Sequence, residues 1–249
     1  MGYADVNGLH MYYERHGEAG TPLVLLHGGM LTIDLNFAGL IPTLARDHQV
    51  IGVELQGHGR TADIDRAITP AALAGDVVAL LDHLGIDRAH VLGHSMGAAV
   101  ALELAVRHPD RVLSVVPISA SVRPDGMHED LLDPSRHATS DRLPTQQDFA
   151  DFREAYQRLS PHPEHFDEFM AAMSASAADL KGWSDDQLAG ITAPTLLVQG
   201  DHDFTTIEHA ALMKRLIPGS HLAVLPNTTH MTVTLRSELL LPMLVEFLD

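Results

Sequence analysis

Short, unbroken apolar runs set the limits on what this chain can become: Pro22–His27, Gln49–Leu55, Ala89–Leu92, Val112–Ser119, Pro194–Gln199 and His221–Leu225. Each has the length of a strand and little polar alternation, the pattern of strands buried on both faces of a parallel sheet. Helical stretches separate them, at about Leu35–Arg46, Thr69–Leu84, Met96–Arg107, Ile207–Ile217 and from about Leu235 onward. In the second of these Pro70 takes the first helical position, Leu73, Val77, Leu80, Leu81 and Leu84 share one face, and Gly85 closes it. Strand–helix–strand alternation with short connections implies an α/β fold, a mostly parallel central sheet with helices on both faces. Ahead of it, Asn7-Gly8 between Tyr3–Val6 and Leu9–Arg15 signals an antiparallel hairpin.

The rhythm breaks after Ser119. Residues 121–190 show no strand pattern: Val122–Pro144 is rich in Pro, Asp, His and Ser and reads as loop. Two amphipathic helices follow, one carrying Phe149, Phe152, Tyr156 and Leu159, the other Phe166, Phe169, Met170 and Met173. The expected organisation is a core of residues 1–120 and 191–249 interrupted by a helical cap, 121–190, on the side of the strands' C-terminal ends.

Bulk composition excludes more than it assigns. A chain of 249 residues with 45% hydrophobic and 20% charged residues can bury a sizeable core, and only 5% of it is aromatic. The formal net charge of −17 argues against nucleic acid and anionic membrane surfaces as partners. Without cysteine there is no disulfide, thiolate metal site or Cys nucleophile. No basic stretch precedes an apolar run at the N-terminus and no run reaches 18 residues, so the expectation is a cytoplasmic protein, monomeric or homodimeric. The 17 histidines form no HExxH or comparable cluster, so no metal and no cofactor is expected.

Gly93-His94-Ser95-Met96-Gly97 stands between a strand and a helix. There a serine sits on a sharp turn that exposes its hydroxyl, flanking glycines let backbones approach, and the helix N-terminus favours developing negative charge. Such a serine needs a base, and the base needs an orienting acid later in the chain. Asp201 and Asp203 follow the run that ends at Gln199; Asp203 is preferred as the acid and Asp201 as a turn residue. His230 follows the last strand and is preferred as base over His209 and His221, which fall inside regular elements. For the oxyanion, the N–H of Met96 pairs with that of Gly29, or of Met30 as second choice. His27 and His94 read as structural residues.

These segments together resemble the α/β-hydrolase superfamily over nearly the whole chain: HGGM at 27–30, VELQGHGRT at 53–61, GHSMG at 93–97, GDHD at 200–203 and His230, in family order. Glu54 stands where members commonly carry Asp, Gln56 is a further departure, and Thr229 precedes the base where Gly or Asp is common. The resemblance implies the α/β-hydrolase fold and a serine esterase-like member. Ser95 excludes the Asp-nucleophile dehalogenases and epoxide hydrolases, Met30 replaces the Pro typical of perhydrolases, and the Gly-Pro-Gly run of carbon–carbon bond hydrolases is missing. The expectation is hydrolysis of a carboxylic ester or lactone through an acyl-enzyme on Ser95. The alternatives are carbon–carbon bond or perhydrolase/haloperoxidase-type chemistry on the same triad, and a non-catalytic ligand-binding protein of this fold. Met30, Phe204 and Met231 beside the site, with Phe152, Phe169, Met173 and Trp183 from the cap, form the expected apolar pocket for a small to medium uncharged substrate; ordinary packing between cap and core explains the same set equally well.

Overall fold

The structure, a computed structural model, describes residues 1–178 and 181–249. Residues 179 and 180 of the expected insertion lie outside the described residues. Strands β1 (Gly2–Val6), β2 (Leu9–His16), β3 (Thr21–Leu26), β4 (His48–Val53), β5 (Ala89–His94), β6 (Val112–Ile118), β7 (Leu196–His202) and β8 (His221–Thr229) form one sheet in the order β1-β2-β4-β3-β5-β6-β7-β8. The β1–β2 hairpin is antiparallel, as Asn7-Gly8 implies, and β2 joins β4 antiparallel. All remaining pairs are parallel.

The period of two along each strand divides the core. Leu23 and Leu25 of β3 pack with Phe37, Leu40, Leu44, Leu240 and Leu244, whereas Val24 and Leu26 pack with Leu73, Val77, Leu80, Val100 and Leu104. The first group comes from helices α1 (Ile33–Phe37) and α2 (Ile41–Leu44), from Leu40 at the N-cap of α2, and from α10 (Ser237–Leu248). The second comes from α3 (Pro70–His83) and α4 (Met96–Arg107). A strand buried on both faces has no polar alternation to display, which is why these runs read as continuous.

Three expectations shift. The stretch Leu35–Arg46 is two short helices, because Pro42 lacks an N–H and serves as a first-turn residue of α2. Val122–Pro144 is not plain loop: it holds a 3₁₀ turn at Pro124–Gly126, α5 (Glu129–Leu132) and a second 3₁₀ turn at Pro134–Arg136, in which Asp133 caps the N–H of Ser135. Strand β8 continues past Leu225 to Thr229, with Asn227 at φ 50° and His202 paired to Thr229 across an irregular register. Between β6 and β7 the remaining helices are α6 (Gln146–Leu159), α7 (Phe166–Ala178) and α8 (Asp185–Ala189), and α9 (Ile207–Leu216) follows β7. No helix among the described residues is long and apolar enough to cross a membrane.

Candidate active site

At the end of β5 the chain turns abruptly into α4. Ser95 takes φ 52° and ψ −112°, and its N–H donates to the Ile118 carbonyl at 2.9 Å. It stands at the N-cap position, yet its side chain makes no capping bond. The crossing is too close for side chains at either glycine: a Cβ on Gly93 would lie 2.0 Å from the Gly97 oxygen, and one on Gly97 would lie 2.0 Å from the Leu26 oxygen. Both glycines are therefore required by the close approach of three backbones.

The freed hydroxyl points at a histidine. Ser95 Oγ lies 2.9 Å from His230 Nε2, and His230 Nδ1 lies 2.7 Å from Asp203 Oδ1. A carboxylate facing Nδ1 keeps the ring proton there, so Nε2 accepts from the serine. Asp203 is fully buried and also accepts from the Phe204 N–H on Oδ1, and from the Ser119 hydroxyl and the Gly200 N–H on Oδ2. Burial alone would raise its pKa; the facing His230 and these hydrogen bonds outweigh it and hold the carboxyl below its usual range. Phe204 lies flat on the His230 ring, centroids 3.8 Å apart and planes 8° from parallel. A hydroxyl, an imidazole and a carboxylate in such a line can deliver an alkoxide-like nucleophile to a carbonyl carbon.

Asp201 has a different task. Its Oδ1 accepts from the Thr228 N–H at 2.9 Å and from His202, tying the end of β7 to the segment that precedes His230. Hydrogen bonds from His202 and Thr228 keep its carboxyl below the usual range. Ser119, at the end of β6 with φ 56°, carries no signal in the sequence; only the fold brings it to the acid.

Facing Ser95, residues 27–31 run beside the start of α4. The Met30 N–H donates to His58 Nε2 at 3.1 Å, which commits it, and Gly29 lines the cavity beside Ser95 and Met96. Gly29 adjoins Met96: a Cβ on Gly29 would lie 4.0 Å from the Met96 Cβ. The surrounding histidines build this loop. His27 Nδ1–H donates to the Gly28 carbonyl and its Nε2 accepts from Leu55 N–H; His58 Nδ1–H donates to the Gln56 carbonyl. His94 Nε2–H donates to the His230 carbonyl at 3.0 Å, and Asn36 accepts from the Gly28 N–H while donating to Thr234. Glu54 is buried against Arg60, accepting from its N–H at 2.6 Å and its guanidinium at 2.7 Å, so it braces residues 54–61.

Burial makes these histidines costly to protonate, with His27 and His94 pushed down to about 3 and His58 to about 4. The unfolded chain titrates near 6.5, so it takes up protons first as pH falls. The stability carried by the neutral rings is full above that value and drains away below it. At pH 5 each ring costs about 2 kcal/mol relative to neutral solution, about 6 kcal/mol for the three. Glu54 works in the opposite sense: burial raises it to about 7, and its proton uptake returns about 2 kcal/mol over the same range. The net loss lowers the melting temperature by about 10 °C between pH 8 and pH 5. Calorimetry across that interval checks it; a flat profile would show that these rings do not control acid stability.

The serine opens into a cavity of about 470 Å³. Met30, Phe152, Met173, Phe204 and Met231 line it, as the sequence suggests, together with Gly29, Ser95, Met96 and His230. Met127, Leu131, Phe149 and Met170 line it too, although the sequence did not single them out as pocket residues. No Asp, Glu, Lys or Arg contributes among the described residues that line it. Two expected members are turned away. Phe169 stacks on Tyr156 and meets His58 edge-on at 4.9 Å, because on α7 the pair Met170 and Met173 takes the cavity face and Phe166 and Phe169 take the face toward α6. Trp183 donates its indole N–H to Glu103 at 2.7 Å and lines a second cavity of about 680 Å³ with Arg66 and Arg107; a buried indole needs an acceptor, and Glu103 of α4 supplies it. Among the described residues, metal-ligand spacing occurs at His162, Glu164 and His165, exposed on the α6–α7 turn and outside both cavities.

The sequence model of the α/β hydrolase fold family matches residues 21–156. The dihydrolipoyllysine-residue acetyltransferase component of the acetoin cleaving system of Cupriavidus necator is 39% identical over 117 residues, 47% of this chain and 31% of that protein. The chain thus spans about a third of that relative's length. A protein of Variovorax paradoxus named "Putative carbamate hydrolase RutD" is 32% identical over 209 residues, 78% of each chain. Among solved structures, the enol-lactonase from Burkholderia xenovorans LB400 superposes with a TM-score of 0.79 at 25% identity, covering 99% of both chains. The family match ends before β7, so Asp203 and His230 rest on geometry and not on it.

Proposed function

The chain belongs to the α/β hydrolase fold family, and from that premise we propose that it is a serine hydrolase cleaving carboxylic ester or lactone bonds of a small to medium, uncharged substrate. The observation that carries the reading is the hydrogen-bonded line Ser95–His230–Asp203, opening into a cavity lined by apolar and neutral side chains. His230 Nε2 takes the Ser95 proton as Oγ attacks the carbonyl carbon. The N–H groups of Gly29 and Met96 hold the oxyanion of the tetrahedral intermediate. Collapse expels the alcohol, which leaves with the proton from Nε2, and the acyl group remains on Ser95. Water, deprotonated by the same nitrogen, then releases the acid and regenerates the hydroxyl. A lactone follows the same course with its alcohol still tethered to the acyl chain.

Residues 121–190 act in this reading as a helical cap over a core of 1–120 and 191–249, since Met127, Leu131, Phe149, Phe152, Met170 and Met173 all come from that stretch. A cavity without a formal charge along its lining disfavours a carboxylated acyl group, whose desolvation nothing there repays. The test is a panel of p-nitrophenyl acyl esters of graded length, aliphatic lactones, aryl carbamates and a p-nitrophenyl hemisuccinate, run beside a fluorophosphonate probe. Expected are probe labelling on Ser95, turnover of neutral esters or lactones, and at least a hundredfold preference over the hemisuccinate. Absence of labelling at Ser95 would overturn the reading, and faster turnover of carbamates would move it to the chemistry named for the Variovorax relative.

A further inference from the structure

The stretch between β6 and β7 does more than roof the cavity; it grips the peptide that carries the acid. Arg142 Nη1 donates to the Asp203 carbonyl at 3.0 Å. The His128 N–H donates to the next carbonyl, that of Phe204, at 2.6 Å, the Thr206 N–H donates to the Gly126 carbonyl at 2.9 Å, and Met127 pairs with Thr205 as an antiparallel bridge. Four consecutive residues, 203–206, are thus held from the same inserted segment.

The first of these contacts acts on the site in a specific way. The Asp203 carbonyl and the Phe204 N–H belong to one planar peptide unit. Its oxygen receives the Arg142 guanidinium, and its N–H donates at 2.7 Å to Asp203 Oδ1, the same oxygen that accepts from His230. A cation on the oxygen fixes the plane of that peptide and polarises its N–H, since linked hydrogen bonds strengthen one another in a low-dielectric interior. The same plane sets the start of Phe204, whose ring covers the His230 imidazole. Arg142 is itself held. Its N–H donates to the Ser140 hydroxyl, which donates to Asp130, and its guanidinium lies 3.9 Å from the Asp130 carboxylate with the side chain only 19% exposed. Arg142 is not among the residues that line the cavity, so it is not placed to contact substrate.

We infer that Arg142 is a positioning residue for the acid: through the 203–204 peptide it orients the Asp203 carboxylate and the Phe204 ring around His230, so that the inserted segment completes the catalytic line. This rests on the proposed serine-hydrolase reading. Arg142→Ala is expected to lower kcat about 10- to 30-fold with KM within twofold of the parent, and Arg142→Lys, which keeps a cationic donor, to recover most of the loss. Independently of any substrate, the low-field proton resonance of the His230–Asp203 hydrogen bond should broaden or move upfield in Arg142→Ala and return in Arg142→Lys. Unchanged kcat with an unchanged resonance would overturn the inference, as would a rise in KM alone, which would make Arg142 a substrate contact. Wild-type protein that turned over no ester or lactone would sink the functional reading while the resonance still decided the role of Arg142. Should Arg142→Ala not fold, Arg142→Lys and Arg142→Gln carry the comparison, and equal kcat in the two would overturn it.

Discussion

Replacing Ser95 with alanine is expected to lower kcat for the best ester or lactone on the order of 10⁶-fold while leaving the melting temperature within about 2 °C. The size follows from what the hydroxyl does. In the proposed reaction it is the atom that forms the acyl bond, and it is the hydroxyl that lies 2.9 Å from His230 Nε2. With the proposed oxyanion donors, the Gly29 and Met96 N–H groups, left in place to act on water, the residual rate should stay typically 10³–10⁴ above solution. Stability should hardly move, because the hydroxyl caps nothing in α4 and the unusual backbone at φ 52° is set by the Gly93 and Gly97 crossings, which alanine at 95 leaves in place. Steady-state assays with calorimetry check both halves. Near-parent activity in the folded variant would remove Ser95 from the chemistry. A large fall in stability would mean that the hydroxyl also supports the turn.

Asp203→Asn should lower kcat on the order of 10⁴-fold. Four donors converge on this carboxylate: His230 Nδ1 and Phe204 N–H on one oxygen, the Ser119 hydroxyl and Gly200 N–H on the other. An amide accepts on one side only. With its oxygen toward His230 and its NH₂ toward Ser119, the hydroxyl can rotate to accept, but the Gly200 N–H then faces another donor and no anion offsets the imidazolium formed during attack. The reverse orientation turns the imidazole proton to Nε2, where it can no longer receive the serine's. Ser119→Ala removes one hydrogen bond to a buried charge and should cost about tenfold. Combined with Asp203→Asn it should add much less than a further tenfold, because the two residues act as a unit. Additive losses in that double variant would show that Ser119 acts elsewhere.

Much of the fold was legible from local pattern. The strands β3 to β8 and helices α3 and α4 follow from apolar runs, a Pro at the first turn and closing glycines, all short-range properties of the chain. The split of the first helical stretch at Pro42 and the 3₁₀ turns of residues 124–136 are marked only by proline placement, with no apolar periodicity to reinforce it. Ser95, Asp203 and His230 stood out because a serine on a strand-to-helix turn and two later strand ends are recognisable in order. Ser119 and Arg142 did not, since a serine at a strand end and an arginine in a polar stretch look like many others.

Taken alone, the sequence determined the strands and helices, the sharp turn that carries Ser95 and the order in which Asp203 and His230 follow it. Those depend on residues close together in the chain. Tertiary structure decided which groups meet: that the Met30 N–H is spent on His58 while Gly29 lines the cavity, that Phe169 turns to His58 and Trp183 to Glu103, and that residues 126–142 clasp the acid's own peptide. Each is a choice of partner across tens of residues, made by burial and by the need of every buried donor for an acceptor, and no local pattern records it.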